Sequence, residues 1–303
     1  MRLSSRDRRL AAVTEIGVLL AFYQWYSVAR HWVAGSETAA YAHALQLIRI
    51  ETSLGIYNEA GIHAWVLARR WLVQTLSLHY AVFHFVVPVV ALIILFRRCP
   101  GRYLAYRNAL AWMSVLAVVT FWLWPLMPPR LLPGSYGFVD VFATRFRPPA
   151  VDHGFAPALY NGFAAMPSLH VAYALWCVVA LWPVLRSNLG RLALLGHLSV
   201  TIIAVVGTAN HYHLDAVGGA AVLAGGVLLG RRRRLPRIRS RAGIAAAGLV
   251  AAAVFIWMPK AEPLLVAENV LVAAVLMVTA RLQPPGRQPS QKPALAIIRR
   301  RGT

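Results

Sequence analysis

The chain has 303 residues, 59% of them apolar and 14% charged, where ordinary soluble domains carry about 25% charged residues. Its mean hydropathy is +0.57 and its net charge +21. These values exclude a disordered chain and a coiled coil and leave little room for a soluble enzyme. The basic residues stand in short clusters between long apolar runs, the pattern of a polytopic membrane protein and not of a nucleic-acid binder.

A bilayer core of about 30 Å takes roughly 20 apolar residues per helix. On that measure spans are expected near 11–29, 74–96, 108–127, 168–185, 192–210 and 214–230, and two more near 242–258 and 264–281. The first contains Glu15 and has no small-residue cleavage site, so it reads as an uncleaved anchor. The expected fold class is an all-α integral membrane protein.

Basic clusters fall at alternate connections: Arg2 to Arg9, Arg97 to Arg107, Arg186 and Arg191, Arg231 to Arg241, and the tail. They hold 23 of the 31 basic residues. The positive-inside rule then sets both termini in the cytoplasm, with eight spans. Arg231 to Arg234 read as an anchor at anionic lipid, with no nucleic acid as partner. The chain divides into a basic tail and first span (1–30), an outer segment (31–73), a transmembrane core (74–230), a basic loop with two extra spans (231–282), and a disordered Pro-, Gln- and Arg-rich tail (283–303). In 31–73, Tyr57, His63, Trp65 and Trp71 alternate with Arg49, Glu51, Arg69 and Arg70, which reads as one or two amphipathic helices lying in the interface. Cys99 and Cys177 read as structural thiols.

Three polar groups interrupt apolar sequence at one membrane level: Met127 to Pro133, with Arg130; Ala165 to His170; and Gly207 to Asp215. The span count sets all three at outer helix ends, where ionisable residues are costly and mark function. If a helix begins near His211, Asp215 falls on the same face and fixes the imidazole tautomer. Pro167 suits a first helical turn, whose free N–H groups, with Ser168, form an anion site beside His170. Arg130 suits a bidentate grip on phosphate, and Arg145 and Arg147 are weaker candidates. The set suits phosphoryl transfer through a phosphohistidine: His211 attacks, Asp215 orients it, and His170 protonates the leaving oxygen and then activates water or an alcohol. No metal and no other cofactor is required.

Met166-Pro167-Ser168-Leu169-His170 resembles the Pro-Ser-x-His motif of the type 2 phosphatidic acid phosphatase superfamily. His211-Tyr212-His213-Leu214-Asp215 resembles its His-x-x-x-Asp motif. The Asn210-His211-Tyr212 form with Gly218-Gly219 following looks closest to the inositol phosphorylceramide synthase-like and sphingomyelin synthase-like branch. The resemblance spans about 74–230. It implies a six-helix core, to which the last two spans are additions, an outward-facing site, His211 as nucleophile, His170 as acid/base and Asp215 as relay. Arg130, Ser168, Asn210 and Tyr212 become the candidate phosphate-binding residues. The chain departs from the family where its motifs carry cations: Leu123 stands for a Lys, and Ala204-Val205 for Ser-Arg.

The function this implies is a lipid phosphatase or phosphotransferase acting on a phospho-headgroup at the outer face. High Arg and low Lys suggest a bacterial chain, hence the plasma membrane. Two rivals are a metal-dependent hydrolase using His211, His213 and Asp215, and a lipid-binding protein without catalysis. Neither the lipid nor the oligomeric state is legible.

Overall fold

The computed structural model describes residues 5–33, 35–142 and 161–232, and side chains within most of these ranges. The two expected spans at 242–258 and 264–281, the tail 283–303, and Arg145 and Arg147 lie outside the described residues.

The fold is helical, and among the described residues there is no strand, only one isolated bridge between Leu126 and Ala164. The helices are α1 (Ser5–Trp32), α2 (Glu37–Ser53), α3 (Glu59–Leu67), α4 (Arg70–Leu78), α5 (His84–Arg98), α6 (Pro100–Leu123), α7 (Leu169–Leu181), α8 (Asn188–Gly207) and α9 (His213–Arg232). A π-helical turn, His79–Phe83, joins α4 to α5, so that Arg70–Arg98 runs as one apolar rod.

Four helices are long and apolar enough to cross a membrane: Arg70–Arg98, Pro100–Leu123, Asn188–Gly207 and His213–Arg231. The expected spans at 74–96, 108–127, 192–210 and 214–230 fall on them with shifted ends. Helix α1 has 28 residues but is not among the four. Helix α7 is apolar with only 13 residues, about 20 Å of helix; Pro183 directly follows its C-cap Trp182 and has no N–H with which to extend it.

The two ends of the bundle differ. At one lie the C-termini of α5, α7 and α9 and the starts of α6 and α8, bearing Arg97, Arg98, Arg186 and Arg191. At the other lie the ends of α6 and α8 and the starts of α7 and α9, where the three polar groups sit. Within the bundle Glu15 and Arg107 form a 2.8 Å ion pair, joined by the Tyr103 hydroxyl at 3.3 Å. Arg107 is thus a buried partner of the first helix, inside α6, and not a residue of a basic loop.

Helix α9 packs on α6, α7 and α2. Its glycines allow this. A Cβ on Gly219 would stand 2.5 Å from the Ser168 carbonyl, and one on Gly226 equally close to that of Ala109. The core is continuous through Leu95, Met113, Phe121, Trp176 and Leu223.

Candidate active site

Helix α7 starts at Leu169, two residues after the proline. Ser168 is the N-cap, its hydroxyl accepting the Val171 N–H at 3.5 Å, and Pro167 precedes the helix. His170 is therefore in the first turn. Helix α9 likewise begins at His213, so His211 stands before it and the shared-face reading was wrong in detail. The pair nevertheless meets. Asp215 is the third helical residue and its Oδ2 reaches back to accept the Tyr212 N–H at 3.0 Å, one half of a capping box. The same oxygen lies 3.1 Å from His211 Nδ1. An oxygen already accepting from a backbone N–H accepts here too, so Nδ1 carries the proton and Nε2 keeps its lone pair. Asp215 is fully buried and His211 nearly so.

Four cross-links knit the three polar groups and the residues flanking them together. The Ser168 N–H donates to the Asp215 carbonyl at 2.9 Å, and the Arg130 N–H to that of Ala209 at 2.8 Å. Tyr212 Oη donates to the Met127 carbonyl at 3.1 Å, and the Leu126 N–H to that of Phe163 at 2.7 Å. Ala209, which receives the Arg130 bond, has φ +57°, a left-handed conformation costly for a residue with a Cβ. Its turn is what swings Asn210 and His211 back toward α7.

One cavity is lined by His170, His211, Arg130 and Asn210, together with Tyr80 of the π turn and Tyr26 and Arg30 of α1. The His170 and His211 ring centroids are 5.7 Å apart. His170 stacks on Tyr80 at 4.0 Å and lies 4.3 Å from His84. Its Nε2 is buried with no hydrogen-bond partner among the described residues, an expensive arrangement unless a ligand supplies one. Arg130 sits in a short 3₁₀ turn, its Nε 3.5 Å from Asp140 Oδ2.

Two candidates are occupied elsewhere. The Tyr212 hydroxyl is engaged with Met127 and that of Ser168 with its own helix, and neither residue lines the cavity. Asn210 does line it, and its amide donates to Thr208 Oγ1 at 2.8 Å. Leu123 is 64% exposed and turned away, whereas Val205 is buried against Val171. His213 points from the cavity to Asn58, Nε2 to Oδ1 at 2.8 Å. Residues 211, 213 and 215 therefore do not converge, and among the described residues no group of His, Cys, Asp and Glu is arranged to hold a metal.

The sequence reading missed a layer behind the site. On α2 and α3, Glu51, Glu59 and His63 are fully buried. Glu59 Oε1 accepts the His213 N–H at 3.1 Å and Glu51 Oε1 the Leu214 N–H at 2.7 Å. Three carboxylates, Asp215 included, thus take the free donors at the start of α9, where the helix dipole favours negative charge. Burial, then the neighbouring Glu59 carboxyl, pushes the Glu51 carboxyl up to about 9, so Glu51 is protonated at neutral pH. His63 Nδ1 donates to the Gly207 carbonyl at 2.8 Å while its Nε2 accepts the Val139 N–H at 3.1 Å, and burial lowers its pKa. Residues 37–67 hold two helices, α2 and α3, whose acids face the start of α9. Tyr80 and His84 were missed as well. The available signal was the polar run His79, Tyr80 and His84 inside an otherwise apolar span. Pro88 deprives the His84 carbonyl of its helical partner, and the adjoining π turn is of a kind that recurs at functional sites.

Apolar helices of spanning length, and one cavity lined by two imidazoles and two guanidiniums, define a membrane-type protein with a site suited to a phosphorylated ligand. A family model of the PAP2 superfamily matches residues 45–229, more than half of the chain. The chain belongs to that superfamily, whose members are generally phosphatases or phosphotransferases. No curated protein and no solved structure matches the chain.

Proposed function

We propose that this protein cleaves or transfers the phospho-headgroup of a membrane lipid through a phosphohistidine on His211. The observation that carries the reading is the cavity in which His211, tautomer set by Asp215, meets the His170 ring at 5.7 Å. His211 Nε2 attacks phosphorus and the ester P–O bond breaks, its oxygen taking a proton from His170. Asp215 offsets the charge gained by His211. Arg130 and the first-turn N–H groups of α7 hold the phosphoryl oxygens. His170 then takes a proton from water or an acceptor alcohol, whose oxygen displaces His211. Asn210 borders the phosphate, while Ser168 and Tyr212 position the two helix starts.

The Asn210-His211-Tyr212 form supports the synthase-like branch, and with it transfer over hydrolysis. For topology we propose both termini in the cytoplasm, eight spans, and a site at the outer face of a bacterial plasma membrane. Exposed Trp32, Trp65, Trp71 and Trp122 ring the site's end of the bundle, as interfacial aromatics do, and arginines mark the other. Arg231 to Arg234 would contact anionic lipid, and no nucleic-acid partner is invoked.

The test is purified protein in nanodiscs with headgroup-³²P-labelled lipid, quenched early. An acid-labile, base-stable label on His211 supports the reading, and turnover without it rejects the intermediate. Adding acceptor alcohols then distinguishes an ester product from free phosphate.

A further inference from the structure

His170 and His211 are the same kind of side chain in one cavity, yet the fold holds their rings by different means. Asp215 fixes His211 through a contact at 3.1 Å. Among the described residues no carboxylate bears on the His170 ring in this way. What touches that ring is aromatic. Tyr80 stacks on it at 4.0 Å, tilted by only 18°, and His84 lies against it at 4.3 Å and 48°. The Tyr80 and His84 centroids are themselves 6.3 Å apart, so the three make close to a right angle at His170. The ring sits in a corner with two walls.

The walls hold each other. His84 Nδ1 donates to the Tyr80 carbonyl at 2.6 Å, which fixes the Nδ1–H tautomer of His84. Phe142 packs on Tyr80 at 5.3 Å and Phe85 on His84 at 3.7 Å. Both walls come from the break in the Arg70–Arg98 rod, Tyr80 from the π turn and His84 from the residue that follows it. The chemistry proposed for His170 needs such a hold. Its ring must aim a nitrogen at a leaving oxygen and later at water or an alcohol, and a misplacement of about 1 Å can cost roughly 100-fold. An aromatic wall restricts the ring without engaging its nitrogens, and Nε2 indeed has no partner among the described residues.

We infer that Tyr80 and His84 are positioning residues, an aromatic corner that orients His170 for its proton transfers. His84 gives and takes no proton: as the P–O bond breaks, the proton passes from His170 to the leaving oxygen. The inference rests on the role proposed above for His170. The corner matters most for an alcohol, whose oxygen needs that proton, and least for a group that departs as a stable anion.

The test follows the first turnover of two phosphate monoesters by the whole protein in nanodiscs, with protein in excess. Dodecyl phosphate releases an alcohol and needs the proton; 4-nitrophenyl phosphate releases a stable phenolate. In Tyr80→Leu and His84→Leu, dodecanol release should slow roughly 100-fold and nitrophenolate release should change little. Tyr80→Phe, which keeps the ring, should recover much of the loss. Residues that only brace the helices would slow both esters alike and lower the melting temperature. That result overturns the inference, as does an unchanged dodecanol rate. A second measurement needs no substrate. The ¹⁵N spectrum of histidine-labelled protein, with His84 assigned by its disappearance in His84→Leu, should show the Nδ1–H form. The Nε2–H form overturns the tie to Tyr80 and the corner with it. Failure of the phosphohistidine reading is seen separately, as turnover of either ester without an adduct on His211.

Discussion

Glu51 Oε1 accepts the backbone N–H of Leu214 at 2.7 Å, across 163 residues of sequence. With the bond from His213 to Glu59, it makes α2 and α3 a cap for the helix that carries Asp215. The geometry of His211 thus depends on a part of the chain that holds none of the recognisable motifs. Of the three carboxyl groups at this N-terminus, Glu51 is held protonated by its burial, which removes one negative charge from the group.

That proton makes Glu51 a pH-dependent element. Its folded pKa, about 9, is above the unfolded value near 4.5, so its contribution to stability is complete below pH 4.5 and is lost as pH rises through 9. Glu51→Gln keeps an acceptor for Leu214 without the acid. Thermal unfolding in detergent should match wild type at pH 5 and exceed it at pH 9. A wild-type advantage at pH 9 would contradict the raised pKa of Glu51.

Asp215→Asn should preserve the fold yet lose the preferred tautomer of His211. General acid–base and orienting contributions of this kind are about 10²- to 10⁴-fold. Turnover of a lipid phosphate should fall by that range, His211→Ala and His170→Ala should reduce it at least as far, and none should shift the melting temperature enough to explain the loss. Steady-state assays beside thermal scans check this.

Gly219→Ala tests the closeness of α7 and α9. The added methyl would stand 2.5 Å from the Ser168 carbonyl, a backbone atom that yields only if the helices part. Overpacking of this kind costs about 1–3 kcal/mol. Because the same contact sets the His170–His211 distance, activity should drop with stability. Gly61→Ala, with open space around its Cβ position, should change neither.

Glu15→Ala leaves Arg107 buried and without its carboxylate. Breaking a buried ion pair by removing one partner costs roughly 3–5 kcal/mol. The expected outcome is a large fall in the unfolding midpoint. Glu15→Gln, which still accepts a hydrogen bond, should fall between. Equal stability of all three would mean that the pair contributes nothing.

Much of this protein is legible along the chain because the information is local. Four of the expected spans fall on apolar helices, since about 20 apolar residues in a row leave the backbone few alternatives to a helix in lipid. His170, His211, Asp215 and Arg130 announce themselves as polar groups at the ends of apolar runs. The tertiary structure decided the rest. Arg107 reads as a loop cation until Glu15 is seen opposite it. Tyr212 and Ser168 sit within the motifs, yet their hydroxyls are taken up by Met127 and by a helix cap. Glu51, Glu59 and Arg30 look like interfacial charges, and the fold turns all three inward. A sequence records the price of burying a charge but not the partner that offsets it, and here those partners lie up to 163 residues away.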